Sequence, residues 1–544
     1  MSRFQQTALT SCDSYKLGHA DQYPPGTTKV YSNFTPRSIR HLNVPDQYKP
    51  TEIVWFGLQI FLQDLVAVWD ETFFKQPKEA VVAEFVEIAG PFCGPNGFAG
   101  KRLEQLHDLG YLPLEIRALP EGSLVPANVP VLTITNTVPE AFWLPNFMEA
   151  WMSADLWKAS TSATISYAYR QIINKYADLT GGSKEFIMWQ GHDFSPRGMS
   201  GIADAARSGA GHLLSFAGTD NIPAVKLVRD VYDGKATFIG GSVPATEHSV
   251  MCAGGKETEI ETFRRLIKTY PSGVLSIVSD TWDFWNVITN IAQELKQEIL
   301  DRTPDELGLA KVVFRPDSGD PVRIIAGYEA LNVSSLDDAQ LFKALADERF
   351  DGVVRCQGKY YTVERIDGEW CDEVEVKEIA AAVTEGAVVT LWKGFGGTAN
   401  DLGYKTLNQR VGLIYGDSIT PARADEILRR LAAKGFASDN IVFGIGSYTF
   451  QYNTRDSLGF AMKATYVEID GKPVEIFKDP VTDNGTKKSA KGLLQVVRQG
   501  NRLALRDQVS WAEEKQGEMR TVFLNGKITV QESFADIRSR LGIM

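Results

Sequence analysis

The chain has 544 residues, 44% of them hydrophobic and 23% charged, with a formal net charge of −11. That length and composition describe a globular protein with room for two or three domains, each with its own core. The acidic balance argues against a broad nucleic-acid or anionic-membrane surface, so any phosphate site must be a local cluster of Lys and Arg. The five cysteines, Cys12, Cys93, Cys252, Cys356 and Cys371, are scattered and form no CxxC. This speaks for reduced thiols and against a disulfide framework or a structural zinc. No apolar leader segment opens the chain and no apolar run is long enough to cross a bilayer, so the expectation is a soluble cytoplasmic protein.

In chain order, residues 52–69 carry apolar side chains at helical spacing, and so do residues 139–158, which open on a proline. Between them, residues 114–137 read as short strands separated by Pro and Gly turns. From about residue 185 the pattern changes to short apolar runs, each ending in a polar turn. EFIMWQ runs into GHDFSPRG, LLSFAG into TDN, ATFIGG into SVPATEHS and VLSIVS into DTWDFW. KVVF runs into RPDSGD, VGLIY into GDSIT, and NIVFG into IGS. Helix-like segments at 199–213, 255–269, 283–301 and 420–434 lie between them. Alternation of this kind marks βαβ units and a parallel sheet. Seven units favour an irregular β/α barrel, whose site is assembled from the loops at the carboxyl ends of the strands. An open doubly wound sheet would place a ligand at the same end.

Residues 330–400 interrupt the alternation as an insertion, and KYYTVERIDGEW within it gives a hairpin signal around Asp-Gly. The tail from about 460 returns to strands with Asp-Gly, Gln-Gly and Asn-Gly turns. The predicted organisation is therefore α/β: a barrel over 151–459, and a second, β-rich domain built from residues 1–150 and 460–544.

Chemistry concentrates in the post-strand loops. In FRPDSGDP, Arg315 offers a planar fork and Asp317 a carboxylate able to accept from two ribose hydroxyls. Taken alone, the loop reads equally as an Arg–Asp ion pair in a turn. Gly416 and Asp417 precede a helix opening at Pro421, and Gly446 and Ser447 form a second glycine turn, so both suit a phosphate. In HDFSPRG, Phe194 suits a planar ring and Arg197 a phosphate. SVPATEHS sets His248 beside Glu247, where a loop histidine of purely structural role is the commoner case. Neither GxxxxGK[ST] nor a GxGxxG after the first strand is present, so a P-loop NTPase and a Rossmann dinucleotide site are unsupported.

Taken together, nine motifs resemble one family. They are DSYKLGHADQYPPGTTKVYSNFTPR (13–37), HDFSPRG (192–198), GTD (218–220), SVPATEHS (242–249), VSD (278–280), RPDSGDP (315–321), GD (416–417), TRD (454–456) and FKDPVTD (477–483). In this order they are similar to the nicotinamide phosphoribosyltransferases, which are type II phosphoribosyltransferases. The resemblance runs from about residue 8 to the C-terminus, apart from 330–400. It implies an irregular α/β barrel with a β-rich second domain, working as a homodimer with shared active sites. It also implies condensation of nicotinamide with 5-phosphoribosyl 1-pyrophosphate, giving nicotinamide mononucleotide and pyrophosphate for NAD salvage. Mg2+ would be required, and ATP would be hydrolysed through a phosphohistidine.

Carried over by residue, the resemblance makes His248 the phosphorylated histidine, with Asp280 beside it and beside the reacting sugar. The orienting carboxylate is Glu247 or Asp280. Phe194 and the partner's Tyr15 would sandwich the base, Asp220 would accept from its carboxamide and Arg315 would help hold it. Asp317 would bind the ribose hydroxyls, and Arg197 the 5′-phosphate near Gly416 and Asp417. Arg37, Arg455, Lys463 and Lys478 would bind phosphates, some across the dimer. Ser447 and Ala461 depart from the family pattern, which has glycine and serine there.

Glycosyl transfer of this kind puts positive charge on the anomeric carbon and negative charge on the leaving diphosphate. Carboxylates near the sugar and cations near the leaving group both gain strength as that charge develops. A carboxylate at Asp220 would repel nicotinate, giving at least ~10³-fold preference for the amide. The alternatives are a nicotinate phosphoribosyltransferase of the same fold and a non-catalytic nucleotide-binding protein.

Overall fold

The structure is a computed structural model describing residues 6–93, 100–232, 238–367, 372–416, 418–477 and 490–543. One antiparallel sheet joins the two ends of the chain. Its strands run, edge to edge, Lys472–Glu475, Ala461–Ile469, Thr27–Thr35, Leu132–Asn136, Leu114–Ala118, Arg520–Leu524 and Lys527–Ile528. Local chemistry fixes its outer hairpins. Asp470-Gly471 and Asn525-Gly526 have positive φ at both positions, the turn whose twist matches two flanking strands.

The second sheet is parallel, in the order Gly218–Thr219, Gly191–Asp193, Val442–Ile445, Val411–Tyr415, Val312–Arg315 and Leu275–Val278. Its two edges are bridged by the segment before His248. Gly241 pairs with Gly218, and Ala245 pairs with Ser276, both in parallel. The ring is thus completed by isolated bridges, which makes the barrel irregular. Helices such as Ile202–Ser215 and Pro421–Ala433 pack outside it. Helix starts follow the sequence signals: Asn221, Asp320 and Thr420 each cap a helix with proline in its first turn.

Several strand expectations shift. In EFIMWQ, Ile187–Gln190 is a helical turn and the strand starts at Gly191. In LLSFAG, the first three residues end the helix Ile202–Ser215, leaving only Gly218–Thr219 as strand. Short buried apolar runs do not distinguish a helix end from a strand by periodicity. Part of ATFIGG lies outside the described residues.

A long helix, Glu149–Thr180, packs against the helix Ile202–Ser215, the helix Pro421–Ala433 and the antiparallel strand Ala461–Ile469. One contiguous buried cluster holds Val30, Phe34 and Ile134 of the antiparallel sheet together with Ile277, Phe314 and Leu413 of the barrel. Among the described residues no helix is long and apolar enough to cross a membrane.

The insertion builds its own four-stranded sheet from Leu331–Asn332, Val353–Cys356, Lys359–Asp367 and Asp372–Ile379, over a small core of Leu341, Ala344, Val354 and Val363. The turn of its hairpin lies outside the described residues. The helix Ala387–Phe395, at the far end of the stretch, belongs instead to the main core. The insertion's ends meet: a Cβ on Gly386 would lie 2.4 Å from the Gly327 nitrogen. Lys434, past the far end of the helix Pro421–Ala433, donates to Ala326 O and Glu385 O. The insertion therefore attaches at the amino ends of the barrel strands, opposite the polar post-strand loops.

Candidate active site

Two neighbouring strands deliver the acidic centre. Leu275–Val278 leads into the loop bearing Asp280, and Val312–Arg315 into the loop bearing Asp317. The loops are tied together. Asp280 Oδ2 accepts from the Asp317 N–H at 2.9 Å and from Ser318 Oγ at 2.6 Å. Its side chain is only 5% exposed, and Oδ1 has no hydrogen-bond partner. A buried carboxylate oxygen left unmet costs free energy, and a ligand or water can supply what is missing.

His248 enters from the bridging segment. Thr246 N–H donates to Ser276 O at 3.0 Å, and Thr246 Oγ1 accepts from Val278 N–H at 2.9 Å, so the next turn rises over the same end of the sheet. His248 Nδ1 lies 3.2 Å from Thr281 Oγ1. Nε2 lies 3.9 Å from Asp280 Oδ1 and 3.8 Å from Asp317 Oδ2, with the side chain 48% exposed. Glu247 accepts instead from Ser249 Oγ, so its described contact is with that hydroxyl and not with the imidazole. Of the two carboxylates weighed as orienting groups, Asp280 is the one beside the ring.

A second cluster lies at the next strand ends. Phe194 is half-buried, and its N–H donates to Ile445 O at 3.0 Å. Arg315 reaches over its ring, 5.9 Å from the centroid, and donates to Thr246 O. Burial pulls the Arg315 pKa down, opposed by Asp317, Asp220 and Asp280. The Arg315 Nε has no partner. Asp220 receives His192 Nε2 at 2.9 Å and Ser242 Oγ, both on Oδ1. Burial raises its pKa, but His192, Ser242 and Arg315 outweigh that and hold the carboxyl below its usual value.

The glycine turns frame the cleft. Gly416 N–H donates to Pro316 O at 3.0 Å, and a Cβ there would lie 2.5 Å from Asp317 Oδ1. Only glycine lets this turn close against the carboxylate. Gly446 follows the strand Val442–Ile445, and Ser447 Oγ packs on Gly198, next to the exposed Arg197. Tyr415 donates its hydroxyl to Gly319 O at 2.9 Å, bracing the Asp317 loop from below. Asp417 and Lys478 lie outside the described residues.

The other expected residues have these described contacts. Tyr15 is 60% exposed, with its ring near His19 and Lys16. Arg37 Nε donates to Gly459 O at 2.8 Å, and Arg455 pairs with Asp456 at 3.0 Å. Lys463 sits in the antiparallel sheet opposite Asn33. None of these contacts reaches the acidic centre. Sequence reasoning missed His192, Ser242 and Thr281; it singled out Ser318 for an anion-facing backbone N–H, whereas the structure shows its hydroxyl donating to Asp280. His192 and Ser242 stand inside quoted motifs, but neither carries a signal until Asp220 is folded between them. Thr281 directly follows Asp280 and is marked only by its contact with the imidazole.

Chemically, the cleft sets two coupled carboxylates and an imidazole beside an arginine-covered aromatic face. Among the described residues no group of three or more His, Cys, Asp or Glu is arranged to hold a metal by itself.

A model of the "Nicotinate phosphoribosyltransferase (NAPRTase) family" matches residues 189–527, and one of the "Nicotinamide phosphoribosyltransferase, N-terminal domain" matches residues 7–87. A nicotinamide phosphoribosyltransferase from Acinetobacter baylyi is 50% identical over 540 residues, covering 99% of this chain and 97% of that protein. One from Mycoplasma pneumoniae is 32% identical over 504 residues, covering 89% and 94%. Among solved structures, the nicotinate-nucleotide pyrophosphorylase from Pyrococcus furiosus superposes with a TM-score of 0.52 at 14% identity, covering 99% of this chain and 97% of that one. At that identity the match speaks for the fold alone.

Proposed function

The chain belongs to the nicotinate phosphoribosyltransferase family and, within it, to the nicotinamide phosphoribosyltransferases, and on that premise we propose how its cleft transfers the 5-phosphoribosyl group of phosphoribosyl pyrophosphate to nicotinamide. The products are nicotinamide mononucleotide and pyrophosphate. The observation that carries the reading is the convergence of Asp280, Asp317 and His248 at one end of the barrel, next to Arg315, Phe194 and Asp220.

The base stacks on Phe194 under Arg315, with its carboxamide N–H toward Asp220. The free Asp317 carboxylate accepts from the ribose hydroxyls as positive charge develops on the sugar, and Asp280 holds the Asp317 loop in place through two hydrogen bonds. Both carboxylates favour a cationic sugar, and Arg197 draws on the phosphate, so the two signs are preorganised before reaction. Mg2+ suits this donor set, because the unpartnered Asp280 oxygen and the nearby Asp317 meet its need for one or two carboxylates. When bound, it neutralises charge on the diphosphate.

ATP coupling belongs to His248. Its Nδ1 is occupied by Thr281 Oγ1, which leaves Nε2 as the nitrogen available to a phosphoryl group. In a homodimer Tyr15 serves the site of the partner subunit, and Arg37, Arg455 and Lys463 bind phosphates, some of them across the dimer.

The test is purified protein with phosphoribosyl pyrophosphate, Mg2+ and either nicotinamide or nicotinate, with and without ATP, followed for mononucleotide. Nicotinamide is expected to be the preferred base by at least ~10³-fold in kcat/KM. A preference for nicotinate would move the chain to the other reading, and no turnover of either base would leave a binding protein. His248→Ala should abolish labelling of the protein by γ-phosphate-labelled ATP while weak transfer persists. Label undiminished in that variant would remove the histidine from the role.

A further inference from the structure

The carboxylate read above as facing the base is itself held. His192 Nε2 at 2.9 Å and Ser242 Oγ both meet Asp220 Oδ1, while no hydrogen bond of this chain is described for Oδ2. His192 is 8% exposed and cannot swing freely. Its ring lies 4.5 Å from that of Phe194, tilted by 37°. On the other side it meets Gly218, where a Cβ would lie 2.9 Å from Nδ1. Glycine at 218 is what admits the imidazole at that depth. Three segments thus meet at one oxygen: His192 inside the strand Gly191–Asp193, Asp220 just past Gly218–Thr219, and Ser242 from the bridging segment.

We infer that His192, with Ser242, is the positioning residue for base selection: it pins one oxygen of Asp220 and leaves the other for the carboxamide donor of nicotinamide. The inference rests on the reading of Asp220 as the base-facing residue and extends it to the group behind. Against an ionised carboxylate the His192 Nε2 must carry the proton, since the carboxylate has none to give. A charge-assisted bond of this kind holds the carboxylate in one rotamer and in its ionised form. Without it, Asp220 can turn or take up a proton, and a protonated Asp220 no longer repels nicotinate. The signature is therefore a change in selectivity, which a role in packing alone would not produce.

The experiment measures kcat/KM for nicotinamide and for nicotinate in the parent and in four variants. His192→Phe keeps an aromatic ring against Phe194 but removes the donor. It should lower the nicotinamide-to-nicotinate ratio about tenfold, equivalent to about 1.4 kcal/mol. His192→Gln, which can still donate from a similar position, should restore most of the ratio. Ser242→Ala should lower it less. Asp220→Asn is the control for the underlying reading. If His192→Phe lowers both constants equally and leaves the ratio intact, while Asp220→Asn changes it, the inference is overturned and the base site stands. If Asp220→Asn also leaves the ratio intact, the base site itself is misassigned and the inference goes with it. Should His192→Phe not fold, His192→Ala replaces it under the same outcomes.

Discussion

The two ends of the barrel carry the same kinds of side chain to opposite purposes. At the amino end, Arg430 donates to Glu426, Asp351 and Gly327 O, and Lys434 to Ala326 O and Glu385 O. Asp351 also takes the Glu329 N–H and Arg323. These donors and acceptors are matched, and the result is a clamp on the neck of the insertion. At the carboxyl end, Asp280 Oδ1 and Arg315 Nε are buried without a partner, and His248 Nε2 stands 3.8 and 3.9 Å from two carboxylates, beyond hydrogen-bonding reach. Buried polar groups are normally satisfied. A cluster that is left incomplete where three loops meet one cleft is built for something that arrives from outside. Unpartnered buried atoms also occur at the amino end, as at Arg302 Nε, so the comparison teaches that neither charge clustering nor a lone unpaired atom marks a site; a carboxylate, a guanidinium and an exposed imidazole left incomplete together in one cleft do.

The strongest way to break this contrast is Asp317→Ala. It should lower kcat/KM for transfer by ~10²–10³, the usual scale for losing one preorganised charge, with little change in Tm because the side chain is exposed. A large loss of Tm with activity per folded molecule preserved would make the site end structural after all. The converse is Arg430→Met. It leaves Asp351 partly unpaired and should cost about 3 kcal/mol of stability, the lower end for breaking a buried pair, read as a fall in the urea midpoint. Substrate constants should hold, since the clamp lies at the end away from the cleft; a matching loss in kcat would erase the distinction between the ends.

A finer test is Thr281→Val. Losing one hydrogen bond to His248 should reduce ATP stimulation about tenfold more than it reduces ATP-free transfer. Thr281→Ser should restore it, and equal losses in both assays would leave Thr281 a packing residue. The smallest effect is in the pH dependence of the clamp. Burial pushes the Lys434 pKa down to about 8 from 10.5. Between those values the unfolded chain holds more protons than the fold, so this group's contribution to stability rises with pH and is lost as pH falls through about 8. The urea midpoint of the parent, taken relative to Lys434→Met, should therefore climb between about pH 8 and 10.5. A constant difference would show that Lys434 stays charged in the clamp.

Legibility varied by element and by residue. The hairpins at Asp470-Gly471 and Asn525-Gly526 were readable because φ > 0 at both turn positions demands such residues. The capped helices at Ile222, Pro321 and Pro421 carry their start signals in the chain. The strands Gly191–Asp193 and Gly218–Thr219 are too short to register a period of two, and the flanking apolar residues went to helix ends. His248, Asp280, Asp317, Phe194, Asp220 and Arg315 were named from motifs, and the fold gathers them at one end of the barrel. His192, Ser242 and Thr281 were invisible as functional residues because their meaning lies in partners 28, 22 and 33 positions away.

By itself, then, the sequence determined the alternation that makes a barrel, the turns that make the antiparallel sheet, and the motifs that identify the family. These are local properties, set by backbone sterics and by side chains within a few residues of one another. Only the tertiary structure decided that the segment before His248 bridges the barrel edges, that Glu247 faces Ser249 while Asp280 faces the imidazole, and that the insertion hangs from the far end. Those outcomes depend on which distant groups are desolvated together, and that is fixed by packing over the whole chain.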